Sequence, residues 1–396
     1  MTRIAAGLIT LGVLAFGGWS AGRHATERAR IEATAESAQE AAVRDADIAF
    51  FTARAARDPF GAGDRARLAS LLLARARATG RYEDLVSAEE SARASLDLRR
   101  GRNRGGALVL ANALMSQHRF REALATAELL ELVDSTDLTI TSLTGEILLE
   151  LGRYDDAARR FVRLGTTTTN LAAQMRVVRW REITGDVEGA HRLLLDARAR
   201  SQHAFGLSRE QRAWFELRVA EFAFRYGNER EGREALSRGF AVSPGDYRLH
   251  AVAARYALAR GDWNDAADHA GQSLDAHFDP ATLALLAQAE RGRGNGSAAS
   301  QAIDAMVLAI QSQPGAWHRA WSLALLDAGR EIPEVLAQSR RDLEDRQDVY
   351  AWDLLAWALH RTGNEAGARQ AMTHALATGI RDPQILAHAA AIGTGR

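Results

Sequence analysis

Cysteine and lysine are both missing from this 396-residue sequence, and proline occurs only six times. Without cysteine there is no thiol nucleophile, no disulfide and no cysteine-ligated metal, and either redox compartment is tolerable. Without lysine there is no phosphate-loop, Schiff-base or kinase-type ammonium. Fifty basic and fifty acidic residues cancel, so no global electrostatic footprint for nucleic acid exists. Also missing are a His-Glu-x-x-His pair and a Gly-x-Ser-x-Gly elbow. Eleven histidines are scattered; His269 and His277 stand eight apart across an expected helix end and read as core or surface residues. Gly292, Gly294 and Gly296 follow no strand and coincide with a turn, so they do not read as a phosphate loop. No metal, cofactor or small-molecule substrate is expected.

What remains is a helix-forming mixture dominated by alanine, leucine, arginine and glutamate, with an apolar fraction of 47%. After Arg3 an uncharged, mostly apolar run extends from Ile4 to Trp19 and, with small residues, to Gly22. Taken to Gly22 it reaches about 28 Å, enough for a marginal membrane span. A cleaved signal peptide competes, since Ser20-Ala21-Gly22 supplies small residues for processing. Residues 1–22 are therefore expected to be a signal anchor or signal peptide. Arg3 is offset by Arg23, Arg28 and Arg30, so orientation is not settled by charge. The bacterial-type inner membrane with a periplasmic array is the expected location, secretion or a cytoplasmic-facing array being the alternatives.

One pattern recurs through the rest: a turn glycine, then a small residue five positions later. The turn positions are Gly80, His118, Gly152, Gly185, Gly227, Gly261, Gly294, Gly329 and Gly363. Their intervals are 38, 34, 33, 42, 34, 33, 35 and 34. Eight of the nine are glycine, where 33 glycines in 396 residues predict fewer than one by chance. A short turn between antiparallel helices needs a left-handed residue, which glycine supplies without a Cβ penalty. Where the helices cross most closely, small side chains are needed. Seven residues before the turns stand Ala111, Gly145, Ala220, Ala254, Ala287, Ser322 and Ala356. Five after them stand Ala123, Ala157, Ala190, Gly232, Ala266, Ala299 and Ala368.

This unit resembles the tetratricopeptide repeat, with the aromatic after the turn kept at Tyr82, Phe120, Tyr154 and Trp263, and most closing prolines missing. The resemblance covers about residues 66–382 and extends to bacterial membrane-anchored members of that family. It implies an all-α solenoid, a superhelix of about nine helical hairpins, built to bind proteins. The expected divisions are a helical stalk at 23–60, the array at 61–382, and a C-terminal helix and tail at 383–396. Residues 25–57 read as one helix, solvated first and packed on the first repeat at its end, where the apolar positions Val43, Ile48, Phe50 and Phe51 cluster. The long intervals fall at the basic stretch Arg99–Arg104 and around 198–210, where Ser208 and Gln211 form a capping-box pattern. Pro333 fits a first helical turn, and Thr166–Thr169 reads as a loop. Trp214, Trp317, Trp321, Trp352 and Trp357 are assigned to first helices, Trp357 also as a groove candidate. The last helix, from Asp382-Pro383 to about Ala391, carries little charge; its apolar face suits a partner or a second copy.

The resemblance implies that first helices line the concave face. Carried over, this selects Asn112, Glu146, Arg176, Arg179, Arg218, Glu221, Arg225, Arg248, Arg255, Gln288, Arg319, Asp353 and Trp357 as groove residues. Arginines dominate the centre, and guanidinium groups grip carboxylates bidentately. The expected ligand is an acidic or C-terminal segment of another protein, unless these arginines pair with neighbouring glutamates. The family's lysine-containing carboxylate clamp for chaperone tails is absent. The expected role is a non-catalytic scaffold or assembly factor of the cell envelope, the alternatives being a permanent subunit of a membrane complex or an all-helical envelope enzyme. No stretch longer than about 60 residues outside the array remains to hold an enzyme domain.

Overall fold

The computed structural model describes residues 4–164, 169–312 and 317–394, with side chains from residue 27 onward. Among them run twenty α-helices and no strand. The helix α1 (Ile4–Arg57) leads into nine hairpins: α2 (Ala62–Thr79) with α3 (Tyr82–Leu98), α4 (Arg104–Ser116) with α5 (Phe120–Val133), and α6 (Leu138–Glu150) with α7 (Tyr154–Leu164). Next come α8 (Leu171–Ile183) with α9 (Val187–Ser201), α10 (Arg209–Arg225) with α11 (Glu229–Val242), and α12 (Tyr247–Arg260) with α13 (Trp263–Ala276). The last three pair α14 (Pro280–Gly292) with α15 (Gly296–Gln311), α16 (Arg319–Ala328) with α17 (Ile332–Asp345), and α18 (Val349–Arg361) with α19 (Glu365–Ala375). A single helix, α20 (Pro383–Ile392), ends the series.

The chain breaks where the glycines stand. All eight turn glycines take φ between +70° and +81°, and His118 takes the same left-handed turn at φ +60°. Side chains start the helices: Asn103, Asp137, Asp186, Asn228, Asp246, Asp279 and Asn364 each accept a backbone N–H from the first turn. Ser208 and Gln211 form the reciprocal cap of α10. The crossing residues are buried: Ala111, Ala123, Ala157, Ala190, Ala220, Ala254, Ala266, Ala356 and Ala368 are wholly covered. Phe161 fills the space left by Gly145, where a Cβ would meet its ring.

The first long interval is taken up by the 17-residue α3. The second is shared between the 15-residue α9, the loop at 202–208 and the 17-residue α10. Trp317 lies just before α16 rather than within it. The expected loop at Thr166–Thr169 falls, except for Thr169, outside the described residues. So does the side-chain detail of the Ile4–Gly22 run; among the described residues no helix is long and apolar enough to cross a membrane.

The stack winds tightly enough to meet itself. Turns of the first four hairpins dock on the loops that join later hairpins, one superhelical turn further on. Gly80 faces His277, Gly152 faces the Gln347 carbonyl, and Gly185 faces the Gly379 carbonyl. The His118 ring sits 4.9 Å from that of His318. The Tyr154 hydroxyl accepts from the Val349 N–H at 2.7 Å, and the Thr378 hydroxyl donates to the Ile183 carbonyl at 2.6 Å; each pair is 195 residues apart. One turn of the coil therefore takes between five and six hairpins. The apolar core follows, one cluster joining Leu114, Ile147 and Phe161 to Val349, Ile385 and Ile392. Lower down, the stalk half of α1 reaches α10, where Glu40 accepts from the Arg209 N–H at 2.9 Å and Glu36 pairs with the Arg209 side chain.

Gly152→Ala and Gly363→Ala separate the turn from the seam. Both sit at positive φ, but nothing lies within 4 Å of a Cβ at Gly363, whereas at Gly152 it meets a carbonyl oxygen. Gly363→Ala should cost about 1–2 kcal/mol in denaturant unfolding. Gly152→Ala should cost clearly more and raise the radius of gyration in solution scattering.

Candidate functional site

First helices face inward, and the closing of the coil makes their inner surface narrow. Arg77 and Arg225 touch water yet sit deep within it; burial, with Arg176 nearby, pushes the Arg77 guanidinium below its ordinary value. Charges confined in this way require partners, because an unpaired buried ion costs several kcal/mol.

Most of the groove residues have found them. Arg176 donates to Glu146 at 2.6 Å and to the Ser142 hydroxyl at 3.1 Å. Arg179 reaches Glu150 at 2.5 Å and Glu146 at 3.7 Å. Arg218 pairs with Glu221 and, at 3.8 Å, with Glu182. Arg225 joins Glu182 at 3.2 Å to Asp382 of the α20 cap at 3.7 Å. Arg248 bridges Asp246 at 2.6 Å and Glu210 at 2.8 Å. Asn112 accepts from Arg77 at 3.1 Å. At the C-terminal end Asp353, fully buried, takes Arg319 at 2.5 Å and His388 Nδ1 at 2.8 Å, while the His388 ring lies flat on Trp357 with centroids 4.3 Å apart. Helix α20 thus stands where the first helix of a tenth hairpin would.

Arg255 and Gln288 differ. Both are exposed, on neighbouring first helices α12 and α14, and neither has a hydrogen-bond or ion-pair partner among the described residues. Of the polar and charged groove candidates, these two alone have no side-chain partner among the described residues.

The seam holds functional groups that the repeat pattern did not select. Burial alone would raise the Glu150 carboxyl, but Arg179 and Arg346 hold it well below the usual carboxylate range. Arg346 lies 3.2 Å from Glu150 and 2.8 Å from Asp348, which caps α18 through the Ala351 N–H. A carboxylate inside the apolar run Leu148-Leu149-Glu150-Leu151 was the available signal. Beside the seam a cleft of about 410 Å³ opens, edged by Arg121, Glu128, Arg153 and Asp345.

Among the described residues no group of three His, Asp or Glu side chains could hold a metal. His269 shares a hydrogen bond with His250 at 3.0 Å, while His277 packs on Tyr247 at the Gly80 seam. Gly294 is a repeat turn, and Gly292 lies under the Trp263 ring.

No family model matches the chain, and no curated protein does. Solved structures do resemble it. Against the chain described as "Crystal structure of APC/C hetero-tetramer Cut9-Hcn1" it is 13% identical with a TM-score of 0.45, 81% of this chain covering 65% of that one. Yeast Tom70 gives 12% identity and a TM-score of 0.38 over 92% of this chain and 88% of that one. A human IFIT1 dimer with PPP-AAAA gives 13% and 0.46 over 81% and 91%. The partners of those proteins remain theirs; the twenty helices themselves establish the tetratricopeptide-like solenoid here.

The seam should respond to acid. Burial, then His318 and Arg346, lower His118 from its ordinary value to about 4. A histidine depressed in the folded state contributes stability that is whole above pH 6.5 and lost as pH falls toward 4. Glu150, also depressed, gives up its share as pH falls from its ordinary 4.5 toward about 2. His118 should account for roughly 2–3 kcal/mol of the fall in unfolding free energy between pH 6.5 and 4, with His250, His269 and His318, which burial also depresses, adding to that fall. His118→Asn, which keeps a residue tolerant of the left-handed turn, should flatten that slope in denaturant titrations.

Proposed function

We propose that this chain is a non-catalytic scaffold of the cell envelope, tethered by its N-terminal apolar run, that holds an acidic or C-terminal segment of another protein on the inner face of its middle hairpins. A continuous stack of hairpins with an inward row of first helices supports the scaffold role. One observation supports the contact point: of the seven arginines that the repeat pattern selected for the groove, Arg255 alone has no carboxylate partner among the described residues, and Gln288 one hairpin away adds a free amide. A carboxylate arriving there meets a guanidinium that it need not take from another anion. The paired arginines on either side fix the surface and leave little net charge to attract a ligand.

A second reading, a permanent subunit of a membrane complex, is favoured by the outer surface. Leu129, Leu132 and Val133 on α5 and Val162 on α7 are largely exposed, and exposed apolar side chains that cluster commonly mark contacts. Fractionation of cells with and without residues 1–22 tests the envelope assignment.

Titration with a peptide panel tests the contact. Acidic peptides should bind more tightly than neutral ones of equal length, and Arg255→Ala should weaken them about tenfold or more, the loss of one charge-assisted contact. Arg248→Ala, removing a paired arginine, should alter stability more than affinity. Equal binding of neutral and acidic peptides would remove the groove assignment and leave the outer surface as the contact.

A further inference from the structure

Helices α2 to α19 each have a hairpin partner; the two terminal helices do not. Helix α1 packs on α2 through Ile48, Phe51 and Ala55, as the second helix of a preceding hairpin would. Its opposite face carries Ala42, Ala46, Ala49 and Ala53 at helical spacing, all exposed, bordered by Val43 and Phe50 at 58% and 55% exposure. Helix α20 packs on α18 and α19 through Ile385, Ala389 and Ile392, as the first helix of a following hairpin would. Its outer face is uncharged, with Leu386 45% exposed beside Ala387 and Ala390. Among the described residues, α1 has no first helix as its hairpin partner and α20 has no second helix as its own.

The seam is unequal in the same sense. It joins turns of early hairpins to loops of late ones, so among the described residues the turns of the late hairpins and the loops of the early ones meet no such counterpart. Nothing lies within 4 Å of a Cβ at Gly227, Gly294 or Gly363, whereas Gly152 and Gly185 each face a carbonyl oxygen. On the loop side Phe60 is 82% exposed. Both halves of an interface that the molecule already makes with itself are thus open at its two ends.

We propose that a second copy of this chain continues the coil head to tail: α1 of the second copy pairs with α20 of the first, and the early loops of the second seat on the late turns of the first. The two surfaces are different, so the contact is heterologous. It does not close, and the assembly grows. Small residues on α1 let the α20 backbone approach closely, with Phe50 and Val43 covering Leu386. This commitment is independent of the peptide site, since neither terminal helix carries Arg255 or Gln288.

Sedimentation of the full-length chain in a density-matched detergent, with micelles in excess, tests it. The weight-average mass should keep rising with concentration, without a plateau at two copies. Leu386→Arg and Phe50→Arg each destroy one end only; both sites are exposed, so circular dichroism and melting should stay as in the parent. Each variant alone should be monomeric. Mixed in equal amounts, they should form dimers that grow no further, because one intact end of each kind remains. A parent chain that stays monomeric at every concentration overturns the proposal. So does a Leu386→Arg variant that still dimerises by itself, which would mean that α1 pairs with another α1.

Discussion

Bare backbone at the hairpin turns is the constraint on which the rest of this structure depends. At Gly152 and Gly185 the turn must be left-handed and must also admit a carbonyl oxygen from a loop one superhelical turn away. Any side chain would satisfy at most one of these demands, and that at a cost. Because both are met, the coil can tighten until its edges touch. The apolar core then runs across the seam instead of along the chain alone. An open solenoid would need only the first property.

Tight winding determines the electrostatics of the inner surface. In a wide groove, first-helix arginines would be solvated and ready for an anion. Here they lie in confined space, where desolvation must be offset by partners held in good geometry. Arg179, Arg346 and Glu150 meet that demand collectively, each touching two charges of opposite sign, and Asp348 closes the cluster on Arg346. Such a cluster adds less stability than its number of contacts suggests, but it discriminates strongly among registers. A shift of the seam by one residue would leave ions buried and unpaired.

The hairpins were legible because each is local. The interval between glycines, the small residues on either side and the capping side chains are all determined within about 34 residues, and each recurs often enough to stand above chance. Helix ends at Pro333, Ser208 and Asp382 followed from the same local chemistry. The groove was legible only as a row of positions. Whether Arg225 faces solvent or Asp382 depends on the small rotation between successive hairpins, summed over five or six of them, and no short pattern encodes that sum. Arg255 and Arg248 read alike in sequence; they differ because Asp246 and Glu210 reach one and not the other. Glu150, alone in a run of leucines, was the one seam residue whose strangeness could be seen beforehand.

Solenoids are ordinarily quasi-one-dimensional: each repeat is stabilised by its neighbours, and the ends fray first. A seam changes that by adding contacts between hairpins far apart in sequence. Hairpin four cannot loosen without releasing Thr378 and the loop before α20, and hairpin three cannot loosen without exposing Arg346. Unfolding of the middle thereby becomes coupled to unfolding of the C-terminal end. The same coupling stiffens the inner face, so that a segment docking near Arg255, as proposed, would meet helices already held in place and need not supply the free energy to order them. Rigidity that began as a requirement of glycine turns is in this way passed on to the surface most suited to recognition.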